Sequence, residues 1–527
     1  MSDQSSLLVE KLWQLKRRID KGECPDIAFV HLNNLLREPG YRSDVLRRVE
    51  SSGSEHLKQL ADNIRALDSG GPLMATPTAE PIQTRQPAPQ QKPQSWLRRN
   101  LIWMMPSAAA AAIAAVGFTA FEPQTIRVHE DIVADTVWES GKTYILEKSI
   151  FVEGADLTLE SGVTVKGDNG SALIVTRGSK LFSRGRPDSP VIFTSNQPEG
   201  ERARGDWGGV VVLGEAPVNQ PDAAIEGISA NDPRGAFGGN AARYSCGVIE
   251  YTRIEFAGFE VYKNNELNGL TLGGCGSDTI IRNVQVHRAL DDGIEMFGGS
   301  VDLKNIVVTG AADDSIDWDW GWTGRVQFLI VQQHPDVGDN AFEGDNNGND
   351  HQAQPRSEPW FYNVTLVGTG QTAKKHRGMV LREGSGGHFH NMIIDSYGIE
   401  AVDLRDEISS LIGTGALTFS NNLIANTGKL GKSTDESGSD NDDFGFSEGQ
   451  WLAAADQDNL RRLDSALHVT ARDPVDPDFQ TRVQMRQMKA TQPPKSEFFD
   501  ESANYAGALN PRLQSSWLDS WTAYPER

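Results

Sequence analysis

The chain has 527 residues, a net charge of −22, 52 glycines and 38% hydrophobic residues. That length is too great for one compact domain unless its units stack as repeats. The three cysteines include no Cys-x-x-Cys pair, which argues against a thiolate zinc site and a c-type haem. Residues 1–99 carry 15 Lys/Arg and 12 Asp/Glu, so residues 100–527 hold −25. Such a surface repels nucleic-acid phosphates, leaving cations, basic proteins or neutral glycans as partners.

Residues 1–68 predict a cytoplasmic helical domain. Leu7, Leu8, Leu12, Trp13 and Leu15 are spaced for one apolar helix face. Ile27, Val30, Leu35, Val45, Leu46, Val49, Leu57 and Leu60 extend the pattern to a bundle of three or four helices. It holds no catalytic constellation and is expected to dock an unidentified cytoplasmic protein. Residues 69–97 are rich in Pro and Gln and read as a linker.

Residues 98–122 predict a transmembrane helix. Leu101 to Phe121 carries no charge and is long enough to cross ~30 Å of hydrocarbon. Arg98 and Arg99 precede it and Glu122 follows it, so the N-terminus is expected in the cytoplasm. The expected location is the inner membrane of a Gram-negative-type cell, with the remainder in the periplasm.

Residues 123–429 predict a mainly β solenoid, a right-handed parallel β-helix. Strands such as Arg282–Val286, Lys304–Val308, Tyr362–Leu366 and His390–Ile394 recur at steps of 22 to 35 residues, each with an Asn at one position. A second strand set follows in phase, including Gly269–Leu272, Gly293–Met296 and Ser315–Trp318. The Asn residues tolerate a left-handed backbone and predict an internal hydrogen-bonded ladder. Cys246 and Cys275 each precede a strand on adjacent coils, and their spacing makes a disulfide between coils plausible against two buried thiols. Residues 430–527 open with an acidic Ser/Gly-rich loop and are expected to cap the last coils.

A family likeness rests on Thr158–Gly167, on Gly205-Asp206-Trp207-Gly208-Gly209, on Asn268–Gly274, on Asp291–Gly299, and on Phe498-Phe499 with Asn504–Ala508. Over roughly residues 140–527 the chain resembles bacterial pectin-lyase-like right-handed β-helix proteins. The resemblance implies an exported or lipid-anchored β-helix and no particular activity.

An acidic stripe is the sharpest chemical feature. Asp291, Asp292 and Glu295 recur as Asp313, Asp314 and Asp317, and again as Asp339, Asn340 and Glu343. Stacked bare carboxylates repel and need a proton, a basic neighbour or a cation. Three readings stand. The Asp residues cap backbone N–H groups; or Asp317, Asp319, Asp345 and Asp350 ligate Ca²⁺, with Asp345–Asp350 as the best local stretch; or Asp291, Asp292, Asp313 and Asp314 cleave a glycan. Polygalacturonase-like hydrolases add a His and a basic motif, for which His376-Arg377 and Gly387-His388 are loose analogues. A lyase would need a base and groups that neutralise a uronate, for which Arg377, Arg382 and Arg405 are the candidates. Trp318, Trp320 and Trp322 alternate, which places them on one side of a strand. Facing out, they form a sugar platform beside Arg382; facing in, they are core. The expected function is a membrane-anchored scaffold that binds glycan, cell-wall polymer or protein. Polysaccharide lysis or hydrolysis and transmembrane signalling are the alternatives.

Overall fold

The structure is a computed structural model. It describes residues 124–527 apart from 230, 263–264, 371–375, 432–445, 483–489 and 514, and residues 39–68 apart from 53, with scattered positions before 39. The chain divides into two units, 1–124 and 125–527.

In the first unit, helices Pro39–Ser52 and Glu55–Leu67 are described. Ser54 starts the second by accepting the N–H of Leu57, and Val45, Leu46, Val49, Leu57, Leu60 and Ile64 are buried. Arg42 is buried and joins Asp68 (2.6 Å) and the Leu35 carbonyl (2.6 Å). Segments 69–97 and 98–122, the expected linker and transmembrane helix, lie outside the described residues. Among the described residues no helix is long and apolar enough to cross a membrane.

The second unit is a parallel β-helix. Ten strands from Ile150–Val152 to Lys429–Gly431 form one sheet in chain order. In it Leu270 pairs Ile294, Ile294 pairs Ile316, and Ile316 pairs Phe342, giving a buried apolar column. Long strands Gly247–Glu255, Ile280–His287, Asp302–Thr309, Arg325–Gln332 and Trp360–Val367 stack in register in the larger sheet. Every coil buries its inward side chains against the next one, so stacking supplies the core.

Each long strand turns a corner at one left-handed residue. Tyr251, Asn283, Asn305, Phe328 and Asn363 occupy this aligned position with φ between 45° and 63°. The Asn residues therefore do serve the turn. They do not form the expected internal ladder, because Asn363 and Asn391 point outward and bond the C-terminal segment. The small residue before each second strand is also a packing demand. A Cβ on Gly293 would stand 2.5 Å from the Ser315 carbonyl oxygen and 2.3 Å from Val308.

A disulfide joins Cys246 and Cys275 (S–S 2.03 Å), both buried in the core. The C-terminal region is a cap only in part: strand Leu460–Arg462 pairs Leu423–Ala425 of the last coil and Leu452 is buried against the coil core. Residues 491–527 run back over the coils as a strap, with contacts from Asn391 to Gly200. Side-chain amides hold its main chain: Asn391 grips Thr491, Gln327 grips Asp500 and Gln285 grips Ala523. The strap and the segment before it also cover outward apolar residues, Ile330, Val367 and Ile393, with Phe479, Ala506, Ala508 and Leu509.

Candidate functional site

The ten-stranded sheet points one set of side chains outward. Along it, Thr271, Glu295, Asp317 and Glu343 are register neighbours on successive coils. Three residues earlier on each coil stand Asn268, Asp292, Asp314 and Asn340. These form a side-chain-to-backbone ladder. The N–H of Asp314 donates to Asp292 Oδ1 (2.8 Å), the N–H of Asn340 donates to Asp314 Oδ1 (2.6 Å), and the N–H of Asp292 donates to Asn268 Oδ1 (3.3 Å). Asp292 and Asp314 are therefore capping residues as well as members of the acidic face. Asn268 is the ladder member that the stripe omitted. The signal for it was the three-residue spacing, which Asn268 and Thr271 carry one coil further back.

Carboxylate oxygens of Asp292, Glu295 and Asp317 lie within 4.8 Å of one another, as do those of Asp291, Asp292 and Asp313. Burial and then the neighbouring acids push Asp292, Glu295, Asp314 and Asp317 well above the usual carboxylate range. Burial and Asp345 raise Asp319 to about 8, and burial raises Glu343 to about 8 against the pull of Arg382. Asn268 Nδ2 donates to Glu295. Asp317 Oδ1 is buried with no hydrogen-bond partner among the described residues. Close hard oxygens, one of them orphaned and crowded by like charge, are a donor set that fits a hard divalent cation.

The other expected site residues are placed differently. Asp319 and Asp345 continue the face, but Asp345 is engaged by Arg382 (2.9 Å), which also bonds Glu343 (2.6 Å). Burial opposes the Arg382 charge, yet these two acids hold it above its ordinary value. Arg382 is thus a counter-ion to the stripe rather than a free ligand contact. Asp350 is exposed and caps Gln352, while Asn346 and Asn347 spend their side-chain oxygens on local bonds. The Asp345–Asp350 stretch is a folded turn, and it does not join Asp350 to Asp317 and Asp319.

Arg377 follows Asn340 in the ladder register, with its guanidinium on Glu400 (2.6 Å) and Asp403 (3.2 Å). Burial works against its charge, but Glu400 and Asp403 raise its pKa, which is the wrong direction for a base. His376 is buried, with Nε2 on the Val337 carbonyl and Nδ1 on the Thr369 hydroxyl.

The three tryptophans do not share a side. Strand Ile316–Asp319 ends before Trp320, whose φ of 52° breaks the alternation. Trp318 and Trp322 are fully buried, and Trp318 packs on Phe342 and Phe361. Trp320 turns outward against Phe237 and Phe297. The expected sugar platform is core at two of its three positions.

A family model described as a pectate-lyase-like β-helix domain matches residues 130–462. No curated protein and no solved structure matches the chain.

Proposed function

The chain belongs to the pectate-lyase-like β-helix family, and on that premise we propose that it is a membrane-anchored periplasmic binding module for an acidic glycan or cell-wall polymer. Residues 98–122 span the inner membrane in this reading, and the N-terminal helices dock a cytoplasmic protein. The acidic face takes the ligand, with Asp292, Glu295 and Asp317 holding Ca²⁺ as the bridge between carboxylate face and anionic sugar. The observation that carries this is Asp317, whose buried Oδ1 lacks a hydrogen-bond partner among the described residues, inside a group of close carboxylates. The ion supplies positive charge. The residues hold it, exclude water and keep the face ordered.

The test is calorimetric titration of the full-length protein with acidic and neutral polysaccharides, in Ca²⁺ and in chelator. Calcium-dependent binding that Asp317→Asn removes is the expected result. Equal binding in chelator, or equal binding by the variant, overturns it.

A second reading has its own observation. Asp319, raised to about 8 by burial and Asp345, retains a proton at neutral pH, as a general acid must. Glycan cleavage by the face is then expected, and release of oligosaccharide in the same titration decides for it.

A further inference from the structure

On another face, strands Gly387–His390 and Leu417–Ser420 pair with His388 opposite Thr418 and His390 opposite Ser420. Residues two apart on a strand share a side, so both imidazoles project together. His388 Nε2 lies 3.1 Å from Glu358 Oε1. An ionised carboxylate only accepts, so this nitrogen carries the hydrogen. His390 Nδ1 lies 3.0 Å from Ser420 Oγ, and the Ser420 hydroxyl donates to Asn421 Oδ1 (3.1 Å).

The other two ring nitrogens converge. His388 Nδ1 is 2.9 Å and His390 Nε2 3.3 Å from the same atom, Thr418 Oγ1. His388 is only 5% exposed, while His390 and Thr418 are half-buried and open the cluster to an ion from solvent.

We infer that His388 Nδ1, His390 Nε2 and Thr418 Oγ1 form a site for a divalent transition-metal ion of the Cu²⁺ or Zn²⁺ class, separate from the acidic face. Imidazole nitrogen suits these ions, whereas Ca²⁺ takes oxygen. The far nitrogens already have the outer partners that metal-bound imidazoles use, Glu358 on one and Ser420 on the other. The Trp360 ring stacks on His388 at 3.8 Å and holds its plane.

The experiment uses the full-length chain stripped with EDTA, titrated with Cu²⁺ and read by electron paramagnetic resonance. Nitrogen coupling from imidazole is expected, displaced by Zn²⁺ and not by Ca²⁺. His390→Gln should remove it. Glu358→Gln should weaken affinity ~10-fold by freeing the His388 tautomer. Since a variant at a packed ring can fail by unfolding, Thr418→His provides a gain: a third imidazole should tighten binding at least ~10-fold, on the scale of one good ligand interaction. Asp317→Asn should leave the signal intact. A spectrum without nitrogen coupling, unchanged affinity in both His390→Gln and Thr418→His, or loss of the site in Asp317→Asn would each overturn the inference.

Discussion

Gln285 holds Ala523 by both ends of its amide: Nε2 donates to the Ala523 carbonyl (2.7 Å) and Oε1 accepts the Ala523 N–H (3.0 Å). These two residues are 238 positions apart in sequence. The side chain imitates one rung of a β ladder, so it reads main chain and places little demand on the identity of residue 523. Gln327 does the same to Asp500.

Loss of such a clamp should loosen the strap locally. Gln285→Ala removes two hydrogen bonds and leaves a part-buried N–H and C=O to be rehydrated, at a cost of about 1–3 kcal/mol. The expected outcome is faster proteolysis within residues 510–527 with the β-helix core intact. Equal cleavage rates in Gln285→Ala and the parent chain would remove the clamp as a stabilising device.

The acidic face sets a pH dependence whose sign follows from its raised pKa values. Glu343 and Asp319 titrate near 8 when folded, against ~4 for unfolded carboxylates. The folded state then binds more protons across that window, so this stabilisation is complete below ~4 and is lost as pH rises through about 8. In chelator, the melting temperature should fall from pH 6 to pH 9. Calcium should reduce the fall, and Asp317→Asn should reduce it without calcium. A flat profile in chelator would contradict the burial of these acids.

Trp318 should behave as core. It is fully buried among Phe342, Phe361, Phe389 and Trp322, so Trp318→Ala should cost about 3–5 kcal/mol. Trp320→Ala, at a partly exposed ring, should cost less. Denaturant unfolding of the two variants gives the comparison, and a larger loss at Trp320 would reverse the assignment.

The Cys246–Cys275 link closes a loop of sequence separation 29. Constraint of the unfolded chain by a loop of that size is worth about 3–4 kcal/mol. Cys246→Ser with Cys275→Ser should lower the unfolding midpoint accordingly, as should reduction of the parent. An unchanged midpoint after verified reduction would show that the coils hold without it.

Much of the β-helix was legible in the sequence because its signals are local. The period-two alternation in Ile280–His287, the Asn at the corner and the small residue at Gly293 each answer to the same coil or the next. The recurrence of Asp292 with Glu295 and of Asp314 with Asp317 identified the acidic face in its correct register, since in-phase coils stack equivalent positions. The extent of the solenoid by itself determined the architecture, as no single coil can bury its apolar side.

What only the tertiary structure decided depends on contacts between distant segments. Trp318, Trp320 and Trp322 looked equivalent until one positive φ at Trp320 separated them. Arg382 read as an available cation until Glu343 and Asp345 closed on it, some 39 and 37 positions away. The strap, the Gln285 clamp and the meeting of His388, His390 and Thr418 have no periodic signature. Each is chosen by which side chains the coils leave facing the same space, and that is a property of the stack rather than of any segment in it.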